Sequence, residues 1–209
     1  MGQYYKACIL ENSQKLDLSE QLERTALGTM EDAKLLAYLS PWSFDNGSKL
    51  MEHSWLTNNF VKAVEVSLAP TGKFFMERIV WSGDYADEEE SGENLYCIAA
   101  DNEDLEVMPD IASTPEFRYV INHTKKSYVD KELVPISHTW IDPDTKKEYP
   151  YKAHPLPLLT CEGCGRGGGD FKGEDPNNLV GSWARDVISV DNEVPNGYEC
   201  LEFNLVEVW

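Results

Sequence analysis

Two turn signals in the second half of the chain limit the folds that it can adopt. Pro143-Asp-Thr-Lys146 and Pro195-Asn-Gly197 each lie between runs of β-branched and aromatic residues. Such a pattern is typical of an antiparallel hairpin, because proline and Asn-Gly favour the backbone angles of tight turns. The sequence therefore predicts hairpins at residues 139–151 and 187–208, and a further pair of short strands within residues 118–129.

The first half of the chain carries the helical patterns. Apolar residues recur at helical spacing over residues 50–68, which predicts the longest helix, and capping signals predict two peripheral helices at 19–27 and 30–39. Aromatic and β-branched residues predict strands at 3–10 and 74–81. The sequence thus predicts an α+β fold with a mostly antiparallel sheet and with its helices concentrated in the N-terminal half.

The chain has 209 residues, a length that matches one domain with one core, so residues 1–209 are predicted to form a single acidic domain. No run approaches the roughly 20 apolar residues of a membrane span, and the first residues lack the apolar segment of a secretory signal. Five cysteines in a chain of this size are expected to be reduced thiols. These features favour a cytoplasmic protein that does not bind membranes, and they leave its oligomeric state open.

Charge is the extreme property of the composition. The formal net charge is −19 at pH 7, and residues 84–110 contain eleven acidic side chains and no lysine or arginine. Such a surface repels phosphate, which argues against direct nucleic-acid binding and favours a basic protein partner. The predicted partner-binding residues are Asp84, Asp87, Glu88, Glu89 and Glu90 from this run, and Arg166 and Asp170 from a glycine-rich loop.

The glycine-rich loop, residues 163–169, overlaps the pair Cys161 and Cys164. Their Cys-x-x-Cys spacing suits zinc or a redox pair, but a second ligand pair is missing, so reduced thiols and no metal or cofactor are predicted. The loop also matches the Gly-x-Gly-x-x-Gly dinucleotide fingerprint, but residues 170–176 do not favour the helix that this fingerprint requires. Its glycines still permit close approach by a partner, with Arg166 and Asp170 supplying opposite charges.

An enzymatic alternative draws on four separate places in the chain. His53, Asp84, Arg166 and Asp170 would converge in the cleft of a small hydrolase or a nucleotide-processing enzyme. The sequence contains no Walker loop, HExxH pair or GxSxG elbow to fix the chemistry. Whether the fold brings these four residues together therefore distinguishes this enzyme from a binding protein.

Four strings are unusual when taken together: Met1-Gly-Gln-Tyr-Tyr-Lys6, Lys49-Leu-Met-Glu-His-Ser-Trp55, Trp81-Ser-Gly-Asp-Tyr-Ala-Asp87 and Tyr119-Val-Ile-Asn-His-Thr-Lys-Lys126. They resemble an uncharacterised family of predicted proteins from bacteria and their phages, with more distant fungal relatives that begin Met-Gly-Gln-Tyr-Trp. The resemblance covers most of the chain and carries over no activity or catalytic residue. Together with the charge, a phage origin favours a non-enzymatic inhibitor that occupies the basic groove of a nucleic-acid-handling enzyme, as anti-CRISPR or anti-restriction proteins do.

Overall fold

A computed structural model describes residues 2–15, 34–39, 47–102 and 115–207 of the chain. Its strands are β1 (Tyr5–Leu10), β2 (Leu35–Leu39), β3 (Arg78–Gly83), β4 (Tyr119–Asn122), β5 (Ser127–Asp130), β6 (Ile136–Ile141), β7 (Glu148–Lys152), β8 (Cys161–Glu162), β9 (Gly173–Glu174), β10 (Ile188–Asp191), β11 (Glu199–Cys200) and β12 (Val206–Glu207). Its α-helices are α1 (Leu50–His53), α2 (Asn59–Leu68), α3 (Leu95–Ala100) and α4 (Pro155–Thr160). None of these helices is long and apolar enough to cross a bilayer.

The first sheet is built around β1 and has the strand order β2-β1-β3-β8. All six residues of β1 are buried, because β2 and β3 flank it and both faces of the sheet are covered. Side chains alternate along a strand, so Ala7 and Ile9 enter the main core while Cys8 and Leu10 pack with α3. The sheet therefore provides a rigid base for the segments that leave its strand ends.

The second sheet has the strand order β10-β4-β5-β11. Strands β4 and β5 form the hairpin that the sequence predicts within residues 118–129, and α2 packs against β10. Buried side chains of both sheets and of α2 and α4 form one apolar cluster, which includes Trp81, Val64, Leu158, Val120 and Val190.

The hairpin of β6 and β7 forms a separate two-stranded sheet, which confirms the prediction for residues 139–151. Much of it is solvent-exposed, including Ile136, Trp140 and Ile141. Its far end is anchored by backbone contacts, because Trp55 pairs with Ala153 and the Leu56 amide donates to the Lys152 carbonyl at 3.1 Å.

The prediction that helices concentrate in the N-terminal half is wrong. The described helices are short and scattered, with α4 in the second half. Residues 35–39, expected to end a helix, form β2, because pairing with β1 outweighs their local helical preference. The expected helix over 50–68 divides into α1 and α2, since Asn58 caps α2 by accepting from the Val61 amide. The helix expected at 19–27 lies outside the described residues.

The hairpin predicted for residues 187–208 is also wrong. Strands β10 and β11 belong to one sheet, but β4 and β5 lie between them. Strand β10 pairs antiparallel with β4, whereas β11 pairs parallel with β5. The segment that contains Pro195-Asn-Gly197 thus connects opposite edges of the sheet, because β10 pairs with β4 and β11 pairs with β5.

Candidate functional site

The glycine-rich loop is held against β1 by one of the predicted partner-binding residues, Asp170. This carboxylate is buried, and it accepts hydrogen bonds from the Tyr5 hydroxyl and from the Gly167 amide, each at 2.9 Å. Asp84 lies at the end of β3, where its Oδ1 accepts from the Tyr4 amide at 3.2 Å. Both carboxylates therefore organise the start of the chain and the loop that covers it.

The acidic run is not a uniform array of exposed carboxylates. Asp87 forms an ion pair of 2.5 Å with Arg166, whose hydrogen bond holds the pKa of Asp87 below its usual value. Glu89 is buried, with 6% of its side chain exposed, and it is paired with Arg185. Arg185 also binds Glu162, so its guanidinium joins the acidic run to β8. Of the three consecutive glutamates, Glu88 and Glu90 are the exposed ones.

Three residues of the enzymatic alternative, Asp84, Arg166 and Asp170, do not line the cavities described below. Asp84 and Asp170 contact the first residues of the chain, and Arg166 is occupied by Asp87 on the surface. His53 lies in α1, and its side chain falls outside the described part of the structure. Within the described residues, no group of three His, Cys, Asp or Glu side chains is placed to hold a metal ion.

A groove lined by aromatic residues lies between the β6–β7 hairpin and residues 55–57. Its volume is about 460 Å³. The residues that line it are Trp55, Leu56, Thr57, Trp140, Tyr149, Pro150, Tyr151 and Lys152. We refer to this cavity as the aromatic groove.

The register of the hairpin places the rings of the aromatic groove. Trp140 lies opposite Tyr149 on the neighbouring strand, with ring centroids 5.5 Å apart, and His138 stacks on Tyr151 at 4.5 Å. The Trp55 ring also contacts Tyr151, with ring centroids 5.4 Å apart. Such contacts stabilise an exposed two-stranded hairpin, so the rings stay in place without a ligand.

A second cavity, of about 390 Å³, adjoins the aromatic groove and shares Leu56 and Thr57 with it. Charged side chains line it in pairs: Lys62 with Glu116, Arg118 with Glu132, and Lys131 with Glu65. Glu116 and Glu132 are the outer members, with 78% and 67% of their side chains exposed. We refer to this cavity as the charged pocket.

The inner wall of the charged pocket contains a buried ionic cluster. Glu65 is fully buried on α2, and the Lys131 ammonium lies 2.7 Å from its Oε1. His154, also fully buried, accepts the Leu156 amide at Nδ1 and directs Nε2 toward Glu65 at 3.4 Å. Because Nδ1 accepts, the proton of the neutral ring is assigned to Nε2.

Burial disfavours the protonated form of His154 and the ionised form of Glu65. It lowers the pKa of His154 from the usual 6.5, so the imidazole is neutral near pH 7. Burial alone would raise the pKa of Glu65, but His154 and the Lys131 ammonium together hold that pKa below its usual value. The cluster is therefore a lysine–glutamate ion pair with a neutral histidine behind it.

Sequence reasoning did not identify the aromatic groove. The predicted hairpin at 139–151 contains Trp140, Tyr149 and Tyr151, and its symmetric turn places Trp140 opposite Tyr149, so this part of the site was detectable. Trp55 was assigned to a helix instead, and no local pattern indicates that it contacts Tyr151. The contact between Lys131 and Glu65 could not be predicted from the sequence either, because Glu65 occupies an ordinary position on an amphipathic helix.

Comparisons of this chain with protein-family models, with curated proteins and with solved structures found no match.

Proposed function

We propose that this chain is a non-enzymatic interaction protein that binds an extended, proline-containing segment of a basic partner protein in the aromatic groove. The single observation that carries the proposal is the convergence of Trp55, Trp140, Tyr149 and Tyr151 on one groove of about 460 Å³. Grooves lined by aromatic rings are a recurrent means of binding proline-rich segments, because such segments are already extended and present flat apolar rings.

Hydrogen-bonding chemistry favours proline over a sugar. Tryptophan and lysine side chains only donate hydrogen bonds, and no carboxylate or amide side chain among the described residues lines the groove. A proline residue offers a carbonyl acceptor and has no amide N–H, so it leaves no donor without a partner in such a site. Sugar hydroxyls both donate and accept, and among the described lining side chains the only acceptors are the hydroxyls of Thr57, Tyr149 and Tyr151, without the carboxylates or amides that would bind several sugar hydroxyls at once.

Charge favours a basic segment and opposes a nucleotide. The chain carries a net charge of −19, which repels phosphate and attracts lysine and arginine. The exposed carboxylates of Glu116 and Glu132 adjoin the groove through the charged pocket. These two carboxylates pair with Lys62 and Arg118 but are 78% and 67% exposed, so a lysine or arginine next to the bound prolines would share them with those cations.

The proposed partner is still a basic protein, as predicted from the sequence, but its main contact is the aromatic groove and not the acidic run. A nucleic-acid-handling enzyme, with its basic surface, remains the proposed partner, and inhibition of such an enzyme remains the proposed consequence. The exposed Glu88 supplies a secondary contact, since Asp87 and Glu89 are already paired with arginines. A cytoplasmic location remains part of this proposal.

The test is peptide binding measured by calorimetry. A peptide pool with a fixed Pro-x-x-Pro core and flanking arginines is compared with a matched pool in which alanine replaces the prolines. We expect binding of the proline pool alone, weakened when glutamates replace the arginines. Equal binding of the alanine pool, or selective binding of oligosaccharides in a parallel assay, would contradict the proposal.

A further inference from the structure

Cys161 and Cys164 form a pair of contacting thiols that the proposed binding function does not use. Cys161 is the first residue of β8, directly after α4, and Cys164 follows in the turn that begins the glycine-rich loop. We propose that these two cysteines are a redox-active dithiol that undergoes exchange with disulfides, with Cys164 as the attacking thiol and Cys161 as the resolving thiol.

The backbone brings the two sulfur atoms together. Gly163 has a φ of 89°, a left-handed conformation that turns the chain back within the Cys-x-x-Cys segment. Cys164 packs against the apolar cluster that contains Cys161, the two side chains are close enough to interact, and the Cys161 sulfur lies 3.4 Å from the Leu158 carbonyl oxygen. Thiols in contact across two intervening residues can close into a disulfide with small backbone movement.

The environment of the pair is asymmetric, which fixes the order of attack. Cys161 is buried, with 3% of its surface exposed, whereas Cys164 is partly exposed to solvent. The Cys164 sulfur accepts a hydrogen bond from the Phe171 amide at 3.3 Å, as a thiolate would. A small disulfide in solution can therefore reach Cys164 first, because Cys161 is shielded from solvent.

Acidity supports the same order. The hydrogen bond from Cys161 holds the pKa of Cys164 below its usual 9.0. The same hydrogen bond, together with burial, raises the pKa of Cys161 well above that value. Because the thiolate is the nucleophile, Cys164 is the more reactive member of the pair near neutral pH.

The reaction balances with a low-molecular-weight disulfide as the oxidant. The Cys164 thiolate attacks one sulfur of the disulfide and forms a mixed disulfide, and one small thiolate leaves. Cys161 then loses its proton to solvent and attacks the Cys164 sulfur, which releases the second small thiolate. The protein dithiol is oxidised to a disulfide by two electrons, and the small disulfide is reduced to two thiols.

Three other cysteines provide internal controls. Cys97 and Cys200 are exposed, and Cys8 is buried with a pKa raised to about 12 by its burial. Exposure alone would make Cys97 and Cys200 the preferred sites of modification. Preferential oxidation of the Cys161–Cys164 pair would instead reflect their contact and the asymmetry around them.

The test incubates the full chain in buffers with increasing ratios of oxidised to reduced glutathione. Acid quenching, intact mass measurement and peptide mapping follow. We expect an intramolecular Cys161–Cys164 disulfide, seen as a loss of about 2 Da, at ratios where Cys97 and Cys200 remain thiols. Modification of Cys97 or Cys200 at ratios that leave the pair reduced would overturn the proposal.

Two variants test the order of attack. Cys161→Ser should accumulate a glutathione adduct at Cys164, because the resolving thiol is missing, whereas Cys164→Ser should leave Cys161 unmodified. An adduct at Cys161 in Cys164→Ser, with none at Cys164 in Cys161→Ser, would reverse the assigned roles. If either variant fails to fold, peptide mapping of the parent chain at successive times after glutathione is added tests the order of attack. The first mixed disulfide must then appear at Cys164.

Discussion

The Trp55 and Tyr151 rings, which come from distant parts of the sequence, lie 5.4 Å apart at their centroids with a tilt of 50°. Their contact closes one wall of the aromatic groove. The backbone fixes it nearby, because Trp55 pairs with Ala153 and the Leu56 amide bonds to Lys152. Rings that are held in place in this way lose little conformational entropy if a partner binds to them, as proposed.

Removal of one ring should therefore reduce binding more than folding. Trp140 is 46% exposed, and Trp140→Ala is expected to weaken binding of the proline-containing peptides at least about tenfold, as loss of an aromatic anchor commonly does. The matched control is Ile141→Ala, at the neighbouring position in β6 with 54% exposure and outside the groove lining. Calorimetry should show an affinity at least about tenfold weaker than the parent's in the first variant and parent-like affinity in the second. Equal affinity in both would exclude the groove as the binding site.

Local signals predicted the parts of the fold that local forces determine. Strand β1 and the strands of the β4–β5 and β6–β7 hairpins follow from runs of aromatic and β-branched residues and from turn residues that lie close together in sequence. The prediction of a helix at β2 is wrong because its pairing partner, β1, lies far away in sequence, before residues 11–34, and local patterns do not report that pairing. The same limit explains β11, whose parallel partner β5 is selected by the assembled sheet rather than by the adjacent turn.

The candidate site was less predictable than the fold. Charge predicts residues 84–90 as a binding surface. In the structure, however, Asp87 and Glu89 form ion pairs with Arg166 and Arg185, which sequence spacing does not predict. The sequence predicts Asp170 as a partner-binding residue, whereas its observed neighbours are Tyr5 and the Gly167 amide. Sequence identifies reactive residue types, whereas their partners depend on long-range packing.

The buried Glu65–Lys131 pair is expected to be strongly coupled. Glu65→Gln should lower the free energy of unfolding by about 3–5 kcal/mol, because it leaves the Lys131 charge without its partner in a buried position. The double variant Glu65→Gln with Lys131→Met removes both charges and should recover much of that loss. Urea denaturation of the parent, both single variants and the double variant measures the coupling. Losses that simply add would show that the pair contributes no interaction energy.

Stability should also fall as the solution is acidified from pH 7.5 to 5. The folded pKa of His154 lies below 6.5, so below that pH the unfolded chain binds a proton that the folded chain resists. Glu65, with its lowered pKa, acts in the same direction at lower pH, once acidification passes its usual 4.5. A single proton difference lowers the unfolding free energy by up to about 1.4 kcal/mol per pH unit.

The control for this pH dependence is His154→Asn, which retains a capping side chain at the start of α4 and cannot titrate. Urea denaturation across the same pH range should show a shallower slope in this variant than in the parent, whatever its absolute stability. Other groups, including His123 with its lowered pKa, titrate in both proteins and cancel in the comparison. Identical slopes would mean that His154 is not the group responsible.

Charge reversal at adjacent positions separates the structural from the exposed carboxylates of the acidic run. Glu89→Lys places a second cation beside Arg185 in a buried position and removes one of its two carboxylate partners, so we expect a loss of at least about 2 kcal/mol in unfolding free energy. Glu88→Lys makes the same change at an exposed position and should alter stability by no more than about 0.5 kcal/mol. Thermal and urea unfolding of the two variants provide the comparison, and equal losses would contradict the ion-pair assignment.

Because Glu88→Lys is expected to preserve the fold, it is also the variant with which to ask whether the acidic run contacts a basic partner. Its affinity for such a partner should fall, and the difference from the parent should shrink as added salt screens the interface.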